Sequence, residues 1–146
     1  MRPYLAALAR GPRGRRGGMT PEDPDTIMLG NAYSRPVHRA LADLSGRKRA
    51  RFALSTYAEL LCFIAPDTGE ITTPLEALVA HAGVPRTQRE SIVDALARLR
   101  IVVRDPRSDR DAWCINPHLA WCGSLEARAR FAAVVQPPAV EPRADA

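Results

Sequence analysis

Arg86, Thr87, Gln88 and Arg89 follow one another at the start of an amphipathic run, and their side-chain types suit reading of a polyanion. An arginine fork matches the two acceptors of guanine, a glutamine amide matches adenine, and a threonine hydroxyl can hold a phosphate. At about 100° per residue, with Ile92, Leu96 and Leu99 as the core stripe, the opposite face carries Arg86, Thr87, Glu90, Ser91, Asp94, Ala97 and Arg98. Glu90 and Asp94 would face the same anion. Arg86, Glu90, Asp94 and Arg98 also form an i,i+4 series, which suits a solvated, salt-bridged face equally well. Both readings stay open on sequence alone.

Two further arginine sets have the same chemistry. Arg104, Arg107 and Arg110 fall in a short polar connection where they could meet a nucleic-acid backbone, but Asp105, Asp109 and Asp111 interleave with them. Arg47, Lys48, Arg49 and Arg51 crowd a helix start, the unfavourable end of the dipole for cations, which points to a polyanion partner or to plain solvation. Cys114-x3-His118-x3-Cys122 has metal-ligand types, with His81 or Cys62 available to complete a set. Pro117 interrupts the pattern and no C-x2-C pair is present, so small buried cysteines are expected instead and no metal or cofactor is predicted. No set of nucleophile, base and orienting group appears, nor a phosphate-cradling glycine loop, so catalysis is not expected.

The elements that must position these residues are legible in the pattern. Ser34 as a cap, Pro36 in a first turn and Val37, Leu41 and Leu44 on one stripe predict a helix over residues 35–44. After Ser45-Gly46, residues 47–65 predict the longest buried helix, with Leu54, Tyr57 or Ala58, Leu61 and Ile64 on one face and Phe52 and Leu60 on a second row. Pro66, Asp67 and Gly69 make a turn, and residues 70–72 suit a short strand. Thr73-Pro74-Leu75-Glu76 opens a helix to His81, and Gly83 sits where a left-handed residue closes it. A second helix follows over residues 86–99. Residues 101–105 and 112–116 then read as a hairpin, and residues 125–135 as a last helix with Leu125, Ala129 and Ala132 or Ala133 inward.

This order predicts a mainly α fold with a small β-wing, a winged helix-turn-helix, over residues 27–135. Residues 1–26 are expected to be a disordered basic tail, and residues 136–146, with three prolines, a second disordered tail. The net charge of +5 sits entirely at the front: residues 1–18 hold Arg2, Arg10, Arg13, Arg15 and Arg16 with no acid, leaving 16 basic and 16 acidic side chains behind them. No apolar run approaches the roughly 18 residues that cross a bilayer, and the N-terminal apolar stretch is too short for an export signal. Three scattered cysteines suggest no disulfide framework, so the expected location is cytoplasmic, associated with nucleoid or plasmid, and no membrane partner is foreseen.

Trp113 to Gly123 reads WCINPHLAWCG, after a helix ending LADLSGRKRARF, a long apolar helix, ITTPLEALVAHAGV and DALARLRIVVRD. The ending and the order of parts resemble the winged-helix domain of plasmid replication initiators of the RepL class found in Gram-positive bacteria, over about residues 27–131. The resemblance implies double-stranded origin DNA as partner, contacted through the helix from Arg86 and the wing, with host replication proteins recruited. It also implies structural roles for Trp113, Asn116, Pro117 and Trp121. A dimeric transcription regulator paired through its helices near residues 35–65 and a protein-interaction module are the competing expectations.

Overall fold

A computed structural model describes residues 5–9, 23 and 25–143 of the chain. Two short strands, β1 Leu5–Ala9 and β2 Thr26–Gly30, form an antiparallel pair, and β2 pairs on its other side with β5 Ala120–Trp121, Met28 opposite Trp121. Thr26, Ile27 and Met28 are all buried, so β2 is covered on both faces and shows no alternation. The expected disordered tail is therefore corrected at Leu5–Ala9, which is a strand; Arg2, Arg10, Arg13, Arg15 and Arg16 lie outside the described residues.

Helix α1, Asn31–Ala42, starts directly after β2 and buries Val37 and Leu41 as the stripe required. Because it begins four residues earlier than expected, Pro36 lies inside it. Proline has no N–H to offer the carbonyl four residues back, which is that of Ala32. That carbonyl instead accepts the Arg143 backbone N–H at 2.7 Å. Helix α2, Arg47–Leu61, buries Ala50, Ala53, Thr56, Tyr57, Leu60 and Leu61. It ends before Ile64, which forms a bridge with Ile71.

Helix α3, Leu75–His81, closes on Gly83 at φ +81°, with the Val84 N–H returning to the Val79 carbonyl at 3.0 Å. This is the left-handed closure that the glycine predicted. A 3-10 turn, Arg86–Gln88, leads into α4, Arg89–Arg98, which buries Ile92, Ala95 and Leu96. Arg100 then takes φ +55° and the Ile101 N–H bonds to the Leu96 carbonyl at 2.9 Å, sending the chain into the hairpin of β3 Val102–Arg104 and β4 Trp113–Ile115. The stretch before α3 adds to its edge, with a Glu70–Cys114 bridge and the Ile71 N–H on the Trp113 carbonyl at 2.9 Å.

Asn116 is fully buried and joins three segments. Its Nδ2 donates to the carbonyls of Arg100 at 2.8 Å and Gln136 at 2.9 Å, its Oδ1 accepts the His118 N–H at 3.0 Å, and its own N–H bonds the Ile101 carbonyl at 2.9 Å. Beyond β5, Gly123 turns at φ +94° against Asp67, whose carboxylate accepts the Ser124 N–H at 2.6 Å. A Cβ on Gly123 would lie 2.3 Å from Asp67 Oδ1, so only glycine fits. Ser124 caps α5, Leu125–Ala132, by accepting the Ala127 N–H at 3.2 Å.

The inward face of α5 differs from the expected one. Phe131 is its buried residue, edge-on to Trp121 at 6.1 Å, while Ala129 and Ala133 are exposed. With little over two turns to offer, α5 buries the most area through one large aromatic at its end. Residues 136–143, expected to be disordered, run along the domain instead. Arg100 Nε donates to the Pro137 carbonyl at 2.8 Å, the Ala139 N–H bonds the Leu99 carbonyl at 2.9 Å, and Val140 packs on the core. The described residues thus form a small mixed α/β domain of five helices and two small antiparallel sheets.

The buried amide gives a direct test of this architecture. Asn116→Asp keeps the shape but points a carboxylate oxygen at two carbonyls, and should destabilise the domain by about 3 kcal/mol or more in urea unfolding at pH 7. An unchanged midpoint would show that the three segments are not joined through this side chain.

Candidate nucleic-acid interface

The packing of α2 on α4 brings two basic segments of the sequence together. Arg49 Nε donates to Ser91 Oγ at 2.9 Å, across 42 positions of chain. Around that bond lies a shallow cleft of about 310 Å³ lined by Arg49, Thr87, Glu90, Ser91, Asp94 and Arg98. Arg49 and Ser91 are half-buried, so their hydroxyl and guanidinium serve first to hold the two helices in register.

The four side chains from Arg86 to Arg89 do not form the first turn of one α-helix. Pro85 is extended, and the Gln88 N–H bonds back to its carbonyl at 2.9 Å, giving a tighter turn before α4 begins. The tighter turn separates the four by role. Arg86 and Thr87 are exposed, Gln88 is half-buried, and Arg89 folds back so that Nε donates to the Val84 carbonyl at 3.0 Å. Arg89 therefore braces the link between α3 and α4.

Along the outer face of α4, the i,i+4 series does not close into a ladder. Among the described residues Arg86, Glu90, Asp94 and Arg98 make no ion pair within 4.0 Å, although all four are exposed. Arg47 and Lys48, at the start of α2, are likewise exposed and without a carboxylate partner among the described residues, and the first turn of α2 contains no acid. Arg47, Lys48 and Arg51 on α2, Arg86 in the tight turn and Arg98 at the end of α4 thus have no carboxylate partner among the described residues.

The hairpin arginines are in the opposite condition. Arg104 pairs with Asp111 and lies over the Trp113 ring, 4.1 Å from its centre. Arg107 pairs with Asp105 at 3.0 Å and Arg110 with Glu70 at 2.8 Å. The hydrogen bond from Arg107 holds the Asp105 carboxyl below its ordinary range. A lowered carboxyl pKa means that the pair contributes above the ordinary carboxylate pKa and is lost as the pH falls through the folded value. Glu70 escapes sequence reasoning because it lies 40 positions from Arg110; the bridge between Glu70 and Cys114 is what brings it to the hairpin.

The cysteine and histidine pattern is dispersed by the fold. Burial, with the carboxylates of Asp105 and Glu70 nearby, pushes the Cys114 thiol up to about 11. Cys122 is buried with Sγ 3.3 Å from the Ile64 carbonyl, and His118 Nε2 lies 3.1 and 3.2 Å from the Ala132 and Val135 carbonyls at the end of α5. Among the described residues no group of three His, Cys, Asp or Glu side chains is placed to hold a metal ion.

These environments predict selective thiol chemistry. At pH 8, Cys114 would be on the order of 0.1% thiolate, so an aromatic disulfide reagent should label exposed Cys62 rapidly and reach Cys114 and Cys122 only after unfolding. Rapid labelling of a second thiol in the native protein would contradict this placement. Comparison with known proteins yields no match among family models, curated proteins or solved structures.

Proposed function

We propose that this domain binds double-stranded DNA as a winged helix-turn-helix, with α3 and α4 as the paired helices and the β3–β4 hairpin as the wing, and that it serves as a plasmid-type replication initiator. The observation that supports the reading is the sorting of cations: Arg47 and Lys48 on α2, Arg86 in the tight turn and Arg98 at the end of α4 have no carboxylate partner among the described residues, while Arg104, Arg107 and Arg110 of the hairpin are paired. An exposed guanidinium without a carboxylate gains most from a phosphate or a guanine edge, because no existing pair must be broken. In this reading Arg47 and Lys48 neutralise backbone phosphate, Arg86 and Thr87 approach base edges, and Arg49 with Ser91 sets the angle between the two helices. The initiator role rests on the resemblance of the INP-x-L-x-W ending and of the order of parts to RepL-class proteins.

A second reading draws on Glu90 and Asp94. Both are exposed on the same face and oppose an anion, which favours a protein-interaction surface of mixed charge. Binding measurements on operator-length duplexes at several salt concentrations separate the two. For the DNA reading, Arg47→Ala with Lys48→Ala should weaken all sequences alike and lower the salt slope by about 2, whereas Arg86→Ala should cost about 1–3 kcal/mol and relax preference at one base pair. Replacing Arg107 should change affinity little. Absence of any sequence preference in the wild-type protein would leave the protein-interaction reading in place.

A further inference from the structure

A second cleft shares no residue with the surface proposed above. It measures about 540 Å³ and lies between α1, which contributes Arg35, Pro36, Arg39, Ala40 and Asp43, and the segment from Val140 to Arg143. That volume falls within the range of small-molecule sites. We propose that it binds a small carboxylate carrying an apolar body, such as an aromatic or branched aliphatic acid.

Three observations lead to this ligand class. First, Arg35 and Arg39 stand one helical turn apart at the cleft, and among the described residues neither guanidinium has a hydrogen-bond or ion-pair partner. Arg143 adds a third cation to the lining and Asp43 and Glu141 two carboxylates, so the cleft stays net positive, and two forks facing one space are suited to a carboxylate, which can accept from both. Second, Pro36, Ala40, Val140 and Pro142 supply an apolar lining that a bare inorganic anion would leave unused. Third, the far wall is fastened down. The Arg143 N–H is bonded to the Ala32 carbonyl that Pro36 cannot engage, and the Ala139 N–H is bonded to the Leu99 carbonyl. A wall held in place before the ligand arrives reduces the entropy lost on binding.

The fastening also links the cleft to α4. The segment that forms the wall begins at Gln136 and Pro137, whose carbonyls are held by Asn116 and Arg100 at the end of α4. A ligand seated against this wall bears on a segment tied directly to that helix end.

Benzoate is the probe of choice, titrated into the full-length 15N-labelled protein at constant ionic strength, with acetate and benzyl alcohol as partial mimics. Saturable amide shifts confined to residues 31–43 and 139–143 are expected, with benzoate binding more tightly than either mimic and at least about tenfold loss in Arg35→Ala/Arg39→Ala. Both arginines are on the exposed side of α1, and an unchanged circular dichroism melt would show that the double variant is folded. Equal binding of benzyl alcohol would overturn the arginine clamp, and equal binding of acetate would overturn the apolar requirement. Shifts centred on Arg47 and Lys48, or no shifts at millimolar benzoate, would overturn the site itself.

Discussion

The buried amide of Asn116 is the contact on which the geometry of the domain turns. A primary amide removed from water must find partners for its donors and acceptor, and each one left unmade costs on the order of 1–3 kcal/mol. Here the partners come from three separate places: the Arg100 carbonyl at the end of α4, the Gln136 carbonyl after α5, and the His118 N–H in the turn towards β5. The arrangement requires the Arg100 carbonyl to point inward, and the positive φ of Arg100 achieves that at a cost of roughly 1–2 kcal/mol for a residue with a Cβ. The amide bond to its carbonyl and the Arg100 side-chain bond to Pro137 offset that strain. Removing any one member exposes the others, so the network behaves as a unit.

The same logic of orphaned groups explains how two later segments are attached. The lost N–H of Pro36 leaves a carbonyl on α1 that the Arg143 N–H fills. Asp67 stands at φ +69° and offers its carboxylate to the Ser124 N–H, which fixes where α5 starts. Trp121 completes that corner, with Nε1 on the Ser124 carbonyl at 2.9 Å and its ring against Phe131. Short elements such as β5 and α5 bury too little surface to hold themselves in place, and these directional bonds supply the missing definition.

Sequence reasoning recovered the elements whose signals are local. The stripes of α1 and α4, the left-handed closure at Gly83 and the polar hairpin connection all follow from neighbours within a few positions. On α2 only Tyr57, Leu60 and Leu61 of the expected rows are buried; Ala50, Ala53 and Thr56 join them, while Leu54 and Phe52 are half-buried, Ala58 is exposed and Ile64 lies beyond the helix. It missed β2, which is buried on both faces and so has no alternating pattern, and β5, which is only two residues long. It also gave residues 136–143 to a disordered tail. A proline-rich composition reports what a segment cannot donate, not which carbonyls it can present to an Asn116 or an Arg100 elsewhere. For the candidate interface the residue types were legible and their pairings were not, because Arg49 with Ser91 and Arg110 with Glu70 meet only through tertiary packing.

Compensated arginines are not thereby removed from an anion's reach. Arg110 is 72% exposed in its pair with Glu70, and Arg104 is 46% exposed in its pair with Asp111. Exposed pairs of this kind contribute about 0–1 kcal/mol, so a phosphate that offers two oxygens can displace a carboxylate at little cost. What such an exchange does not change is local charge, since the displaced carboxylate stays within a few ångströms of the incoming anion. The hairpin therefore gains contact geometry without much net attraction. From Arg86 in the tight turn, through Glu90 and Asp94, to Arg98 at the end of α4 the order of charges is positive, negative, negative, positive, and the helical neighbours stand about 5–6 Å apart between Cβ atoms, inside the roughly 8 Å screening length of physiological salt. Attraction is concentrated at the two ends of this series and opposed in its middle. In the proposed reading a polyanion on this face would meet unpaired cations at Arg86 and Arg98 with Glu90 and Asp94 between them, and the Arg49–Ser91 bond holds α2 against α4 there.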